Sequence, residues 1–169
     1  MLFPTHLVAA YLIGRRWDLP TVPVVAGAAL PDLIDKPLAI VGVVDLYHTV
    51  GHSLVTLAAL GAIALLAGSR IAPRERARVG TGNRRWLAVW VGWASHLALD
   101  ALQMVVNGRP DDLRFLLWPF VHHVPAVQLP PLAFASYYVG TPSFVLEVGI
   151  WVAFLAVLLR DRGRSDGAP

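Results

Sequence analysis

The sequence predicts an all-α membrane protein, a polytopic bundle of apolar helices in one domain. Three observations carry that expectation. Hydrophobic residues make up 56% of the 169 residues and charged residues only 15%, against about 25% charged in ordinary soluble domains. Mean hydropathy is +0.59. Three apolar runs approach the roughly 20 residues that a membrane helix requires.

The runs are 48–68, 86–107 and 141–159, and each is read as a long span. Two shorter runs precede them, 7–14 and 22–30. They are too short to cross alone and are expected as short helices, buried in the bundle or paired as a re-entrant hairpin. Segments 115–120 and 129–138 are apolar but broken by Pro119, Pro130 and Pro131, with Pro125 between them. Trp118, Tyr137 and Tyr138 suit the membrane–water interface there. The domain is expected over 1–160, with 161–169 a polar cytoplasmic tail. The segment Met1-Leu2-Phe3-Pro4-Thr5-His6 has neither the basic start nor the cleavage site of a removable signal peptide.

Charge orients the bundle. Eleven of the fourteen basic residues fall in three places: Arg15–Arg16, the stretch Arg70, Arg74, Arg76, Arg78, Arg84 and Arg85, and Arg160, Arg162 and Arg164. Lys36, Arg109 and Arg114 are left for the other side. The positive-inside rule assigns the eleven to the cytoplasm of a multi-pass plasma-membrane protein. The sequence pI of about 9.8 therefore reads as orientation. Nucleic acid is not an expected partner, because no aromatic residues interleave with the basic ones to stack bases. The expected partners are the lipid bilayer and a lipid or membrane-associated substrate; the oligomeric state is not legible.

Polar residues within apolar segments are the functional signal. An intramembrane ionisable residue costs roughly 2.5–3.5 kcal/mol on insertion scales. His48 and His52 stand at i, i+4, and His96 and Asp100 repeat the spacing, with Gly92, Gln103 and Asn107 continuing a polar stripe. Glu147 is alone in the last run. Asp32 and Asp35 follow the second short run, and His6 opens the first. Counted from the arginine-marked ends at about 1.5 Å per residue, His6, Asp32, His52, His96, Asp100 and Glu147 converge at depths of roughly 14 to 26 Å. One such residue alone reads as an interhelical hydrogen bond. The set reads as a metal or proton-handling site. With no cysteine in the chain, the donors are nitrogen and oxygen, suited to zinc, manganese or iron. The candidate metal ligands are His6, Asp32, Asp35, His48, His52, His96, Asp100 and Glu147. They outnumber the needs of one ion, so two or three divalent ions, with zinc the leading choice, are expected. Asp32 or Asp35 is the candidate general base or bridging ligand. At most one of His122 and His123 should reach the site, and Asp45, Asp111 and Asp112 read as solvated loop carboxylates.

His-Glu-x-x-His, a Gly-x-Ser-x-Gly elbow and a Gly-rich phosphate loop are all absent. The motifs that are present resemble the YdjM-like family of predicted membrane-bound, metal-dependent hydrolases. The resemblance rests on Pro4-Thr5-His6, Leu30-Pro31-Asp32-Leu33-Ile34-Asp35, His48-Thr49-Val50-Gly51-His52-Ser53, His96-Leu97-Ala98-Leu99-Asp100 and Leu117-Trp118-Pro119-Phe120. It departs between the two histidines of the middle motif, where members often carry an arginine and this chain has Thr49-Val50-Gly51. The family is similar in turn to the all-helical zinc-dependent phospholipase C and single-strand nuclease group. That likeness implies a zinc cluster in which His96 and Asp100 are the best-supported ligands. The resulting expectation is a membrane-embedded phosphoesterase with its site towards the outer half of the bilayer. A metal-ion or proton carrier, and a scaffold with a structural polar stripe, are the alternatives.

Overall fold

A computed structural model describes residues 1–69, 73–127 and 129–165. Its described residues form six α-helices and one 3-10 segment, with no strand. The helices are α1 (Phe3–Arg16), α2 (Thr21–Ile40), α3 (Leu54–Ser69), α4 (Pro73–Val106), α5 (Pro131–Tyr138) and α6 (Pro142–Ser165); the 3-10 segment is Pro110–Leu117. The all-helical expectation holds, while the span count is corrected. Two helices among the described residues are long and apolar enough to cross a membrane, Asn83–Val106 within α4 and Pro142–Gly163 within α6.

The span expected over 48–68 fails at its start. Ser53 Oγ accepts from the backbone N–H of Val55 (3.1 Å) and Thr56 (3.3 Å). This is the capping geometry that begins a helix, so α3 starts at Leu54 and His48 to His52 form a turn. The short N-terminal runs are longer than expected, since α1 has 14 residues and α2 has 20. Pro31 and Pro37 are tolerated inside α2, although neither can donate to the helical ladder. The arginine stretch, expected as a loop between the runs 48–68 and 86–107, is also corrected. Arg74 to Arg85 belong to α4, while Arg70 lies outside the described residues. α6 continues beyond residue 160 to Ser165, and 166–169 lie outside the described residues.

The bundle is built on α2 against α4. Ala10, Val24, Ala28 and Ala88 form one buried cluster, and Leu57, Trp93 and Leu97 a second. Small side chains let the backbones approach, as in packed membrane helices. Two glycines make the crossing unusually close. A Cβ on Gly27 would overlap the Val89 carbonyl, and one on Gly92 would overlap the Val24 carbonyl. No other residue type fits at either position without parting the helices.

α6 is held differently. Val145, Val152, Leu155 and Leu159 are exposed along it, an apolar face that only lipid or a partner helix suits. Its one buried acid, Glu147, turns inward. Glu147 accepts from Thr5 Oγ at 2.6 Å and from the Leu2 backbone N–H at 3.2 Å, and Trp151 Nε1 donates to the same Thr5 hydroxyl at 2.9 Å. At the far end Arg15 pairs with Asp161 (2.6 Å) and Arg84 with Asp18 (3.0 Å). The arginine-bearing levels of α1, α4 and α6 thus meet at one end of the bundle.

Candidate metal centre

His6 on α1, Asp32 on α2, His48 and His52 in the turn before α3, and His96 and Asp100 on α4 meet in one cluster. His52, His96, Asp32, Asp100 and His6 are buried. Three groups of donors lie close enough to hold a metal ion: Asp32/His52/His96, His6/His96/Asp100 and His48/His52/Asp100. Nitrogen and carboxylate oxygen in threes is the usual protein share of a catalytic zinc site.

The hydrogen bonds fix which nitrogens are free. His96 Nδ1 lies 2.7 Å from the Ala28 carbonyl oxygen, an acceptor only, so this nitrogen donates. His52 Nδ1 lies 2.8 Å from Asp35 Oδ2, and it likewise donates. Each ring then turns Nε2 inward, and the two Nε2 atoms are 3.2 Å apart. Two neutral imidazoles in these tautomers would face lone pair to lone pair. A positive charge relieves that repulsion, either a proton on one ring or a metal ion between them. Asp32 Oδ1 lies 3.4 Å from His52 Nε2 and 3.8 Å from His96 Nε2. Asp100 Oδ2 lies 3.6 and 3.3 Å from the same two atoms. Tetrahedral zinc–nitrogen bonds of 2.0–2.1 Å place neighbouring ligand atoms about 3.3 Å apart, close to these spacings.

Lone-pair counting limits occupancy. An imidazole nitrogen binds one cation, and the inward nitrogens of His52 and His96 each belong to two groups. The Asp32/His52/His96 group therefore excludes the other two. Those two share only Asp100, whose oxygens face apart: Oδ1 is 3.2 Å from His6 Nε2, while Oδ2 is 4.0 Å from His48 Nε2. Donor sharing therefore lets either the Asp32/His52/His96 group or the other two groups be filled at one time. His6 Nδ1 and His48 Nδ1, not the Nε2 atoms that face Asp100, are buried with no hydrogen-bond partner among the described residues.

Asp35 stands behind the cluster. It accepts from the backbone N–H of Thr49 (2.7 Å), Gly51 (2.8 Å) and His52 (3.1 Å), from Thr49 Oγ (2.9 Å) and from the His52 ring. The turn is wrapped around this carboxylate. Trp93 Nε1 holds it from below through the Gly51 carbonyl at 2.7 Å. Gly51 packs so tightly on Pro31 that a Cβ would lie 2.6 Å from the Pro31 carbonyl oxygen. Asp35 and Glu147 belong to none of the three donor groups; Glu147 instead ties α1 to α6. The Met1 amine lies 2.9 Å from Asp100 Oδ1 and 2.6 Å from Gln103 Oε1.

Above the cluster is a cavity of about 320 Å³, lined at its floor by Asp32, His48 and Asp100. Sequence reasoning missed Arg109, which also lines it, and misread Asp112. Asp112 is 3% exposed and accepts from Arg109 Nη1 (2.9 Å), His123 Nε2 (2.9 Å) and the Ala126 backbone N–H (3.0 Å). Burial pushes its carboxyl up, but these donors win and hold it below the ordinary carboxylate value. His122 is exposed and His123 is engaged by Asp112, so neither joins the donor groups. Asp45 and Asp111 are exposed, as expected.

The fold of the described residues is a helical bundle with two helices long and apolar enough to cross a membrane, around a buried histidine–aspartate cluster that could hold a metal ion. The chain belongs to the YdjM inner membrane protein family, whose model matches residues 1–164. No curated protein matches it, and no solved structure does.

Proposed function

We propose that the chain is a metal-dependent hydrolase of the inner membrane, cleaving a phosphoester in a lipid or other membrane-associated substrate. The observation that carries this reading is the facing pair of inward nitrogens, His52 Nε2 and His96 Nε2 at 3.2 Å, flanked by Asp32 and Asp100 at the floor of an open cavity. Zinc fits the donor set, as do manganese and iron. Such an ion, when bound, polarises a phosphoryl oxygen and lowers the pKa of a water toward about 7.

The chain's own groups divide the remaining work. Asp32 lines the cavity, and when the ion is held by the groups without it, its Oδ1 accepts the proton of an attacking water. Asp35 has its oxygens taken by five donors, so its part is to hold His52 in the tautomer that faces Nε2 inward. The apolar wall of Leu129, Leu132, Phe134 and Ala135 suits an acyl or isoprenoid chain. The test is release of phosphate or a phosphorylated headgroup from a phospholipid panel in mixed micelles, with and without chelator, beside a liposome ion-flux assay. Turnover that chelator suppresses and zinc restores is the expected result. Ion flux without lipid turnover would make the protein a carrier, the same charge between the two imidazoles then serving transport.

We further propose that the arginine-marked end of the bundle faces the cytoplasm and the cavity faces the outer half of the membrane. The chain has no cysteine, so single cysteines report cleanly. An impermeant thiol reagent on intact cells should label position 111 and spare position 84; the reverse pattern would invert the orientation.

A further inference from the structure

The cavity over the cluster is lined by two cationic side chains, Lys36 and Arg109, as well as by apolar ones. Lys36 is already committed, with Nζ 2.6 Å from Asp32 Oδ2. Arg109 is committed on one side only. Its Nη1 donates to Asp112 Oδ2 at 2.9 Å, and Asp112 is itself fixed by His123 and Ala126. The guanidinium is thus held from behind. Its Nε is buried and has no hydrogen-bond partner among the described residues.

A buried guanidinium N–H without an acceptor is unfavourable, and a guanidinium has five donors to satisfy. Arg109 as a residue lines the cavity, so a ligand that enters can supply acceptors for the guanidinium N–H groups that Asp112 does not take. The planar donor fork of arginine matches the oxygens of phosphate. Asp32, His48 and Asp100 line the same space, so a phosphate that reaches the cluster does so along a wall bearing this fork. Leu132 lines the cavity while 86% exposed, which places an apolar side chain at the rim.

We propose that Arg109 is a substrate-binding residue that takes the phosphate oxygens of the ligand, with Asp112 and His123 as positioning residues behind it. That the phosphate comes on a lipid chain rests on the hydrolase reading above; that Arg109 binds phosphate does not. The shared chemistry is a phosphate group, carried by a lipid or free in solution, and the two are separated by probe.

The experiment is equilibrium binding to detergent-purified, zinc-loaded full-length chain. The probes are inorganic phosphate and a short-chain phosphatidic acid below its micellar concentration. Arg109→Gln should weaken binding of both by about tenfold or more, with zinc content and thermal unfolding as in wild type. Arg109→Lys should recover part of the loss, since charge remains but the fork does not. Leu132→Gln, at an exposed position, should weaken only the lipid probe. Wild-type affinity in Arg109→Gln would overturn the inference, as would failure of the wild type to bind either probe. If Arg109→Gln also loses zinc and Arg109→Lys does not restore it, Arg109 is structural and the inference falls. Leu132→Gln binding both probes like wild type would remove the lipid chain from the proposal. Because turnover is not measured, a chain that binds phosphate through Arg109 yet hydrolyses nothing would sink the hydrolase reading alone.

Discussion

Asp100→Asn is expected to strip the cluster of metal and lower turnover by about a hundredfold or more. The carboxylate touches four imidazoles, those of His6, His48, His52 and His96, and belongs to two of the three donor groups. An amide keeps its shape, but it loses the charge and sets an N–H₂ where a lone pair is needed. Changes to outer-sphere partners alone typically cost 10–100-fold in metal affinity or activity, so loss of a shared ligand should exceed that. His96→Ala should match it, because His96 Nε2 has the Asp32 and His6 groups in common. The check is metal per chain in purified wild type, Asp100→Asn and His96→Ala, with thermal unfolding before and after zinc addition. Wild-type protein that purifies metal-free and gains no stability from zinc would leave the cluster as a packing device.

The second large effect is expected at a residue belonging to none of the donor groups. Asp35→Ala removes the acceptor for three backbone N–H groups, one hydroxyl and one imidazole. Each buried donor left without a partner costs about 1–3 kcal/mol, so the turn from His48 to His52 should open even if water recovers some of them. Opening it displaces two histidines of the cluster together. Hydrogen exchange should rise at the amides of Thr49, Gly51 and His52, and metal content should fall. Full amide protection and unchanged metal in Asp35→Ala would show that Gly51 and Trp93 alone hold the turn.

The contrast between the two histidine pairs shows what a sequence makes legible. His96 and Asp100 lie four apart on a long apolar run, and in α4 they do share a helical face. His48 and His52 have the same spacing, yet they lie in a turn. A spacing of four brings side chains together on a helix, but it also does so where backbone wraps an anion. The difference was written nearby, in Gly51 and in Ser53 as a helix-starting residue. The carboxylate that decides it, Asp35, lies thirteen or more residues earlier. Asp112 was unreadable for a related reason. Beside it Asp111 is exposed, and only the arrival of Arg109 and His123 separates the two. The apolar runs of α4 and α6 were plain, since hydropathy is a local property. The length of α2 was not, because Asp32, Asp35 and Lys36 interrupt its apolar pattern for reasons that belong to the site and the chain around it.

The close crossing of α2 and α4 bears on ionic size. Asp32 rides on one of these helices and His96 and Asp100 on the other, and the glycines at 27 and 92 leave the two backbones in direct contact. The separation of the helices that carry these donors is therefore set by main chain, and only side-chain rotation is left to adjust the aperture. Calcium needs six to eight oxygens at 2.3–2.6 Å, a larger and more oxygen-rich shell than two carboxylates among four imidazoles supply on helices held at this spacing. Zinc closes on fewer donors at 2.0–2.2 Å. Discrimination against the larger cation would then reside in two residues that carry no donor atom of their own.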